Sequence, residues 1–271
     1  MNKYKYKLLI VLFLLFENYS CNFSKNNNSK SVHCCIQSVS KYSQNPVSFS
    51  ELVQFAYLNR NEQVFPELCR LLNDSILSHK KKTWLWTTSK IDTVNHCIFW
   101  KFNHADPTLF LGLQASGRFS FRVCITTEND IFIDDCKNDI STIKQQAIEY
   151  LFYPEEKFKH IIIERHNIDL IGEIEVSRTG VLLSRDARNG LNIDEWKLFF
   201  DCMHELMLAY EEERNKKSVE IWGVEYHLLS CDKMEALSNV VDYNIIIDFF
   251  QSMISYCNPP PPPPLGASPD L

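Results

Sequence analysis

At 271 residues and a net charge of −6, the chain has room for one large domain or two small ones and no broad basic surface for nucleic acid. Hydrophobic residues make up 45% and aromatics 13%, enough to bury a sizeable core, which excludes a disordered chain. The basic residues are scattered, and the run His79-Lys80-Lys81-Lys82 is too short to carry a nucleic-acid role.

The N-terminus reads as an export signal. Lys3, Lys5 and Lys7 precede the apolar run Leu8 to Phe16, which Glu17-Asn18-Tyr19-Ser20-Cys21 breaks. Nine apolar residues extend roughly 14 Å as a helix, against a hydrocarbon core of ~30 Å. Spanning would require Glu17 and Tyr19 to be drawn into the interface. Ser20-Cys21 is also similar to the end of a bacterial lipoprotein signal, whose cysteine is lipidated, although Asn18 stands where that motif prefers an aliphatic residue. Lipidation at Cys21 is the leading expectation; cleaved soluble export and an uncleaved short anchor are the alternatives. The polar run Asn22 to Ser31 then serves as a tether.

Ser48 to Leu58 opens on a serine cap and carries Leu52, Phe55 and Ala56 at helical spacing. A second amphipathic helix, opened by Pro66, runs from Phe65 to Leu77 with Leu68, Leu71, Leu72 and Ile76. Trp84-Leu85-Trp86, Cys97 to Trp100 and Leu109-Phe110-Leu111 read as strands. Trp84 and Trp86 alternate onto one face, where core packing outweighs a ligand platform.

From Arg118 the pattern sharpens. Phe119, Phe121, Val123 and Ile125 alternate with polar residues, Thr126 to Asp130 turns the chain, and Ile131 and Ile133 return it as a hairpin. Asn138 or Asp139 caps a helix bearing Ile140, Ile143, Ala147 and Leu151 and stopped before Pro154. Residues 155–171 read as an inserted strand or loop. Val181-Leu182-Leu183 fits a strand covered on both faces. Asn192 and Glu195 have capping-box spacing, and Trp196, Phe199, Phe200, Met203, Met207 and Tyr210 follow on one stripe. Glu211, Glu212, Glu213 and Arg214 are expected to end that helix in solvent. A short helix from about Asp232 to Val240 leads to the buried strand Asn244 to Ile247. Pro259 to Pro264 mark a polyproline tail.

No specific catalytic constellation emerges. His204-Glu205 lies on the long helix, but Leu208 occupies the place where a zinc-binding pair needs its second histidine. His160, His166, Glu164 and Asp169 form a mixed cluster better read as a solvated charged segment than as a metal site. His104-Ala105-Asp106 before Pro107 reads as turn chemistry. Seven glycines and no Gly-x-Ser-x-Gly leave neither a nucleophile elbow nor a phosphate loop. Ten cysteines include no Cys-x-x-Cys pair, and Cys124, Cys136 and Cys202 are expected as buried free thiols. No enzymatic activity, cofactor or metal is expected.

Several fragments, taken in order, resemble the periplasmic domain of the ExbD/TolR family of envelope-motor subunits. Phe121 to Ile133 looks like that domain's opening hairpin, residues 139–152 its first helix, and Val181 to Asp186 its central strand. His204-Glu205-Leu206, Ala209-Tyr210, Glu212 and Arg214 are similar to a run in a longer branch of ExbD proteins, as are Gly223-Val224-Glu225-Tyr226, Leu229, Ala236 and Ile245 to Ile247. The resemblance covers about half the chain. It implies self-association, a TonB/Tol-type envelope complex or peptidoglycan as partners, and a location in the bacterial cell envelope facing the periplasm. The family's transmembrane aspartate has no counterpart, since no Asp or Glu lies between Leu8 and Phe16. Proton transduction is therefore not carried over.

The expected fold is α+β: a small ExbD/TolR-like sheet over residues 119–250 with two main helices on one face, after a mixed α/β region over 48–118. A signal segment (1–20) and tether (21–47) precede these, and a proline-rich tail (258–271) follows. Strand addition along Asn244, Ile245, Ile246, Ile247 and Asp248 is the candidate pairing interface. The alternative function is an exported lipoprotein of immunity type that binds and neutralises a toxin.

Overall fold

A computed structural model of the chain describes residues 48–78, 84–92, 97–105, 121–152, 163–177 and 179–249. The expected export signal, Cys21, the expected tether, Leu109-Phe110-Leu111, His160 and the proline-rich segment lie outside these residues. No helix among the described residues is long and apolar enough to cross a membrane.

Local chemistry starts the helices where the sequence places them. Helix α1 (Phe49–Leu58) begins at a capping box: the Ser48 N–H donates to Glu51 Oε2 at 2.8 Å, and the Glu51 N–H donates to Ser48 Oγ at 3.3 Å. Helix α2 (Phe65–Ser78) buries Phe65, Leu68, Cys69, Leu72 and Ile76 on one stripe. Two long strands follow, β1 (Trp84–Asp92) and β2 (Cys97–Ala105), antiparallel and paired over all nine residues. His104 and Ala105 thus end β2 instead of turning the chain, because Leu85 and Trp84 pair with them.

The hairpin β3 (Phe121–Ile125) and β4 (Ile131–Ile133) forms as expected, extended by an unforeseen third strand, β5 (Cys136–Asn138). Asp139 caps a 3-10 turn leading into α3 (Ile143–Phe152). The insert is a hairpin of its own, β6 (Ile163–Ile168) with β7 (Gly172–Ser177), forming a separate two-stranded sheet. Strand β8 (Val181–Arg185) is buried along its whole length. Helix α4 (Ile193–Trp222) runs 30 residues, roughly 45 Å. Gly223, at φ 67°, ends it by donating its N–H to Val219 O at 2.9 Å, a left-handed conformation that costs an L side chain roughly 1–2 kcal/mol. Helix α5 (Cys231–Val240) and strand β9 (Ile245–Asp248) close the described chain.

Seven strands form one mixed sheet in the order β2-β1-β9-β8-β3-β4-β5, with β3, β8 and β9 parallel to one another. The class is α+β. Strand β9 pairs on one side with β8 and on the other with β1, so the two regions expected to meet at residue 118 share a single sheet. That boundary divides the sequence but not the fold, because β9 needs both neighbours to satisfy its two rows of backbone groups.

Side chains alternate along each strand, and one face carries Leu85, Phe102, Phe121, Val123, Ile125, Val181, Leu183, Ile245 and Ile247. These join apolar residues from all five helices in one continuous core. Trp196 stands at its centre, stacked on Phe200 (centroids 5.6 Å, planes at 23°) and edge-on to Phe199 and Phe249.

Candidate interaction site

Strand β9 is where residues 244–248 were expected to offer an edge, and it has none to offer. Ile245, Ile246, Ile247 and Asp248 pair with β8, and Ile246, Ile247 and Asp248 pair with β1 as well. Asn244 O accepts from Val181 N–H at 2.8 Å. The apolar run that suggested strand addition is apolar because it is the sheet's interior. The outer strands among the described residues are β2 and β5.

The cysteines divide differently from expectation. Cys202 is a buried free thiol, as is Cys69, and burial pushes both up to about 12, so neither is reactive. Cys136 is free but exposed, because it lies on the short outer strand β5. Cys124, on the interior strand β3, is disulfide-bonded.

The charged end expected on the long helix is instead folded into the protein. Arg214 is 0% exposed: its Nε–H donates to Val241 O at 2.8 Å, and its guanidinium lies 4.0 Å from the centroid of the Tyr243 ring. Burial works against its charge, and Tyr243, Tyr226, Asp242 and Glu211 outweigh that effect. Glu213 is buried as well, and burial raises Glu211 above the ordinary carboxylate range despite Arg214. Helix α4 extends two turns past these residues, so they sit mid-helix beneath Tyr226 and Tyr243.

His204 Nδ1 lies 2.7 Å from Tyr57 Oη, joining α4 to α1. Burial, then the nearby Arg60, hold its pKa below the usual value, with Asp201 opposing. A histidine depressed in the folded state stabilises fully above its unfolded value of about 6.5, and that contribution is lost as the pH falls from there through the folded value. Thermal melts should therefore show a fall in Tm between about pH 7.5 and 5.5, part of which disappears in His204→Gln.

Arg185, at the C-terminal end of β8, is 1% exposed. One nitrogen donates to Asn129 Oδ1 in the β3–β4 turn and to Glu195 Oε1 in the first turn of α4, both at 2.8 Å. Glu195 Oε2 accepts the Asn192 N–H at 2.7 Å, so one carboxylate both closes the cap of α4 and holds the buried cation. Burial lowers Arg185 and Glu195 offsets it. Asn73 performs a similar tie on α2: its amide donates to Leu191 O at 2.8 Å, and its Oδ1 accepts from Leu191 N–H and Trp196 Nε1–H, both at 3.0 Å. Neither residue stood out in the sequence. The one signal was a cation closing the apolar run Val181-Leu182-Leu183, which marks either a site or a buried pair.

The concave surface suited to a partner lies elsewhere. A groove of about 800 Å³ opens between the β6–β7 hairpin and α5, lined by His166, Asp169 and Leu170 on one side and Asp232, Glu235 and Asp242 on the other. His166 Nε2 lies 3.0 Å from Glu164 Oε2. Leu170, 61% exposed on the rim, is held at φ 70°, a conformation rare for leucine. His166 and Asp169, grouped in the sequence, thus share one wall of the groove, but no group of His, Cys, Asp and Glu among the described residues could hold a metal ion. The wall is acidic and open, with a shape and charge that suit a cationic segment.

No protein-family model matches the chain, and neither a curated protein nor a solved structure does.

Proposed function

We propose that the chain is an exported, non-catalytic binding protein of the bacterial cell envelope, anchored through lipid at Cys21, with an ExbD/TolR-like domain over residues 119–250. The observation that carries this reading is Cys124. A disulfide on a buried interior strand of the core sheet belongs with an oxidising compartment, and it agrees with the basic-then-apolar leader before Cys21. The order of hairpin, helix, parallel strand, long helix, short helix and parallel strand supports the family likeness. Proton transduction is not part of the proposal, because the apolar run Leu8 to Phe16 contains no carboxylate. The partner is a second copy, a TonB/Tol-type complex or peptidoglycan, with no cofactor and no nucleic acid. The acidic groove favours a second reading, an immunity-type lipoprotein that neutralises a cationic toxin.

Metabolic lipid labelling with envelope fractionation tests the location. Wild type should carry lipid in the membrane fraction, and Cys21→Ala should lose the label. An unlabelled, uncleaved wild type in the inner membrane would revive an N-terminal anchor and sink the lipoprotein reading. Asp232→Lys with Glu235→Lys separates the partners. Loss of a tight complex with a basic protein would favour the immunity reading; unchanged self-association or peptidoglycan retention would favour the first.

A further inference from the structure

The β6–β7 hairpin stands apart from the main sheet as a ribbon of two strands, which leaves it two edges. One of them lines the groove. His166, Asn167, Ile168, Asp169 and Leu170 follow one another along its wall, and no residue of β7 reaches it. The groove therefore runs along the outer edge of β6 and not across the face of the ribbon, with α5 as its other wall.

The main chain of that edge is unmet. The Ile171 N–H donates to Ile168 O at 3.0 Å, so Ile168 turns its carbonyl toward the returning strand. In an antiparallel pair alternate residues direct both main-chain groups to the partner, so Ile168 and His166 face β7 while Asn167 and Arg165 face away. Neither Asn167 nor Arg165 has a main-chain hydrogen bond outside the β6–β7 ladder among the described residues. A row of such groups is a template for a further strand, and a ribbon of only two strands is marginal in water until a third completes it.

The facing wall sets the charge of that strand. Asp232, Glu235, Asn239 and Asp242 recur at three- to four-residue intervals along α5 and just past its end, the spacing of one helix face. Asp169 adds a carboxylate from the hairpin turn, and the residues lining the groove include no lysine or arginine. Asp169, Asp232 and Glu235 have no ion pair among the described residues. In a strand laid along β6, every second side chain points to the α5 wall, at intervals of about 7 Å. A basic helix would satisfy the carboxylates and leave the strand edge open; a basic strand satisfies both.

We propose that β6 takes up an extended segment of a partner protein as a third strand, one with lysine or arginine on the alternate residues that face α5. This rests on the reading of the chain as a binding protein and gives the groove its mode of recognition. Main-chain bonds to Asn167 and Arg165 hold the segment, and the acidic wall selects it.

Fluorescence anisotropy with the full-length protein tests this, with a labelled peptide of alternating lysine and threonine as the probe. The peptide should bind saturably, and its carbonyl-labelled form should move its amide I band from the disordered to the β-strand position on binding. Asn167→Pro removes the outward N–H and spares the β7 ladder, since edge strands tolerate proline; it should weaken binding about tenfold with the melting temperature unchanged. Asp232→Lys with Glu235→Lys should weaken it by at least about tenfold. The same peptide methylated on its main-chain nitrogens keeps its charge and should lose its binding, and this measurement decides alone if Asn167→Pro melts early. Failure of the peptide to bind, a bound peptide whose amide I band stays disordered, or undiminished binding by the methylated peptide would overturn strand addition; so would undiminished binding to folded Asn167→Pro or to the charge-reversed protein. Lipid labelling at Cys21 is decided separately, so the groove's mode of recognition and the envelope location can fail one without the other.

Discussion

Trp196→Ala should cost about 3–5 kcal/mol, the largest loss expected from a single truncation in this protein. The indole is fully buried, stacks on Phe200, meets Phe199 and Phe249 edge-on, and donates to Asn73 Oδ1. Its removal opens a cavity at the junction of α2, α4 and the end of β9, and it leaves the Asn73 oxygen with one donor fewer. A domain of ordinary stability has only about 5–15 kcal/mol in hand, so the variant should populate unfolded chain at physiological temperature. Urea denaturation reads this as a drop in midpoint at constant slope. A loss below about 1 kcal/mol would mean that the core relaxes into the space and that Trp196 is not its keystone.

Arg185→Ala should approach the same size, about 3–5 kcal/mol, by a different route. The guanidinium ties the β3–β4 turn to the first turn of α4, and its removal leaves Asn129 and Glu195 without their shared donor. Asn129 sits at φ 67°, a conformation that needs such support. Glu195 is 18% exposed and retains the Asn192 N–H, so it can rehydrate once Arg185 is gone; Glu195→Gln leaves the buried Arg185 cation without its anion and should cost at least as much, about 3–5 kcal/mol. A double-mutant cycle between the two positions should return a coupling of at least about 1 kcal/mol. Coupling near zero would show that the charge on Arg185 is held by something other than Glu195.

Both residues bear on how far the fold can be read without coordinates. The helix starts at Ser48 and Asn192, the 121–133 hairpin and the buried strand at 181–183 were legible because caps, turns and periodicity act over a few residues. What was not legible depends on partners far away in the chain. Arg214 looks like a solvated helix end until Val241 O and the rings of Tyr226 and Tyr243 enclose it. Strand β9 looks like an edge until β1 arrives from the other end of the sequence. Cys124 looks like any strand cysteine, since nothing local distinguishes a thiol from half a disulfide. The groove was half visible, as the charged cluster around His166 and Asp169, but its second wall comes from α5, some 60 residues later.

The place of β9 has a consequence for how the protein is made. Thr87 bonds the backbone of Ile245 across 158 residues of sequence, and every contact that joins β1–β2 to the rest of the sheet runs through this one strand. A chain emerging N-terminus first, from a ribosome or through a translocation channel, therefore presents two unfinished half-sheets, each with a bare apolar margin. They remain so until the last few residues of β9 are released. Such a chain is exposed to misassembly for nearly the whole of its synthesis. It calls for a holding chaperone on the way, and any product cut short before residue 245 should be cleared by proteolysis instead of persisting as a smaller folded form.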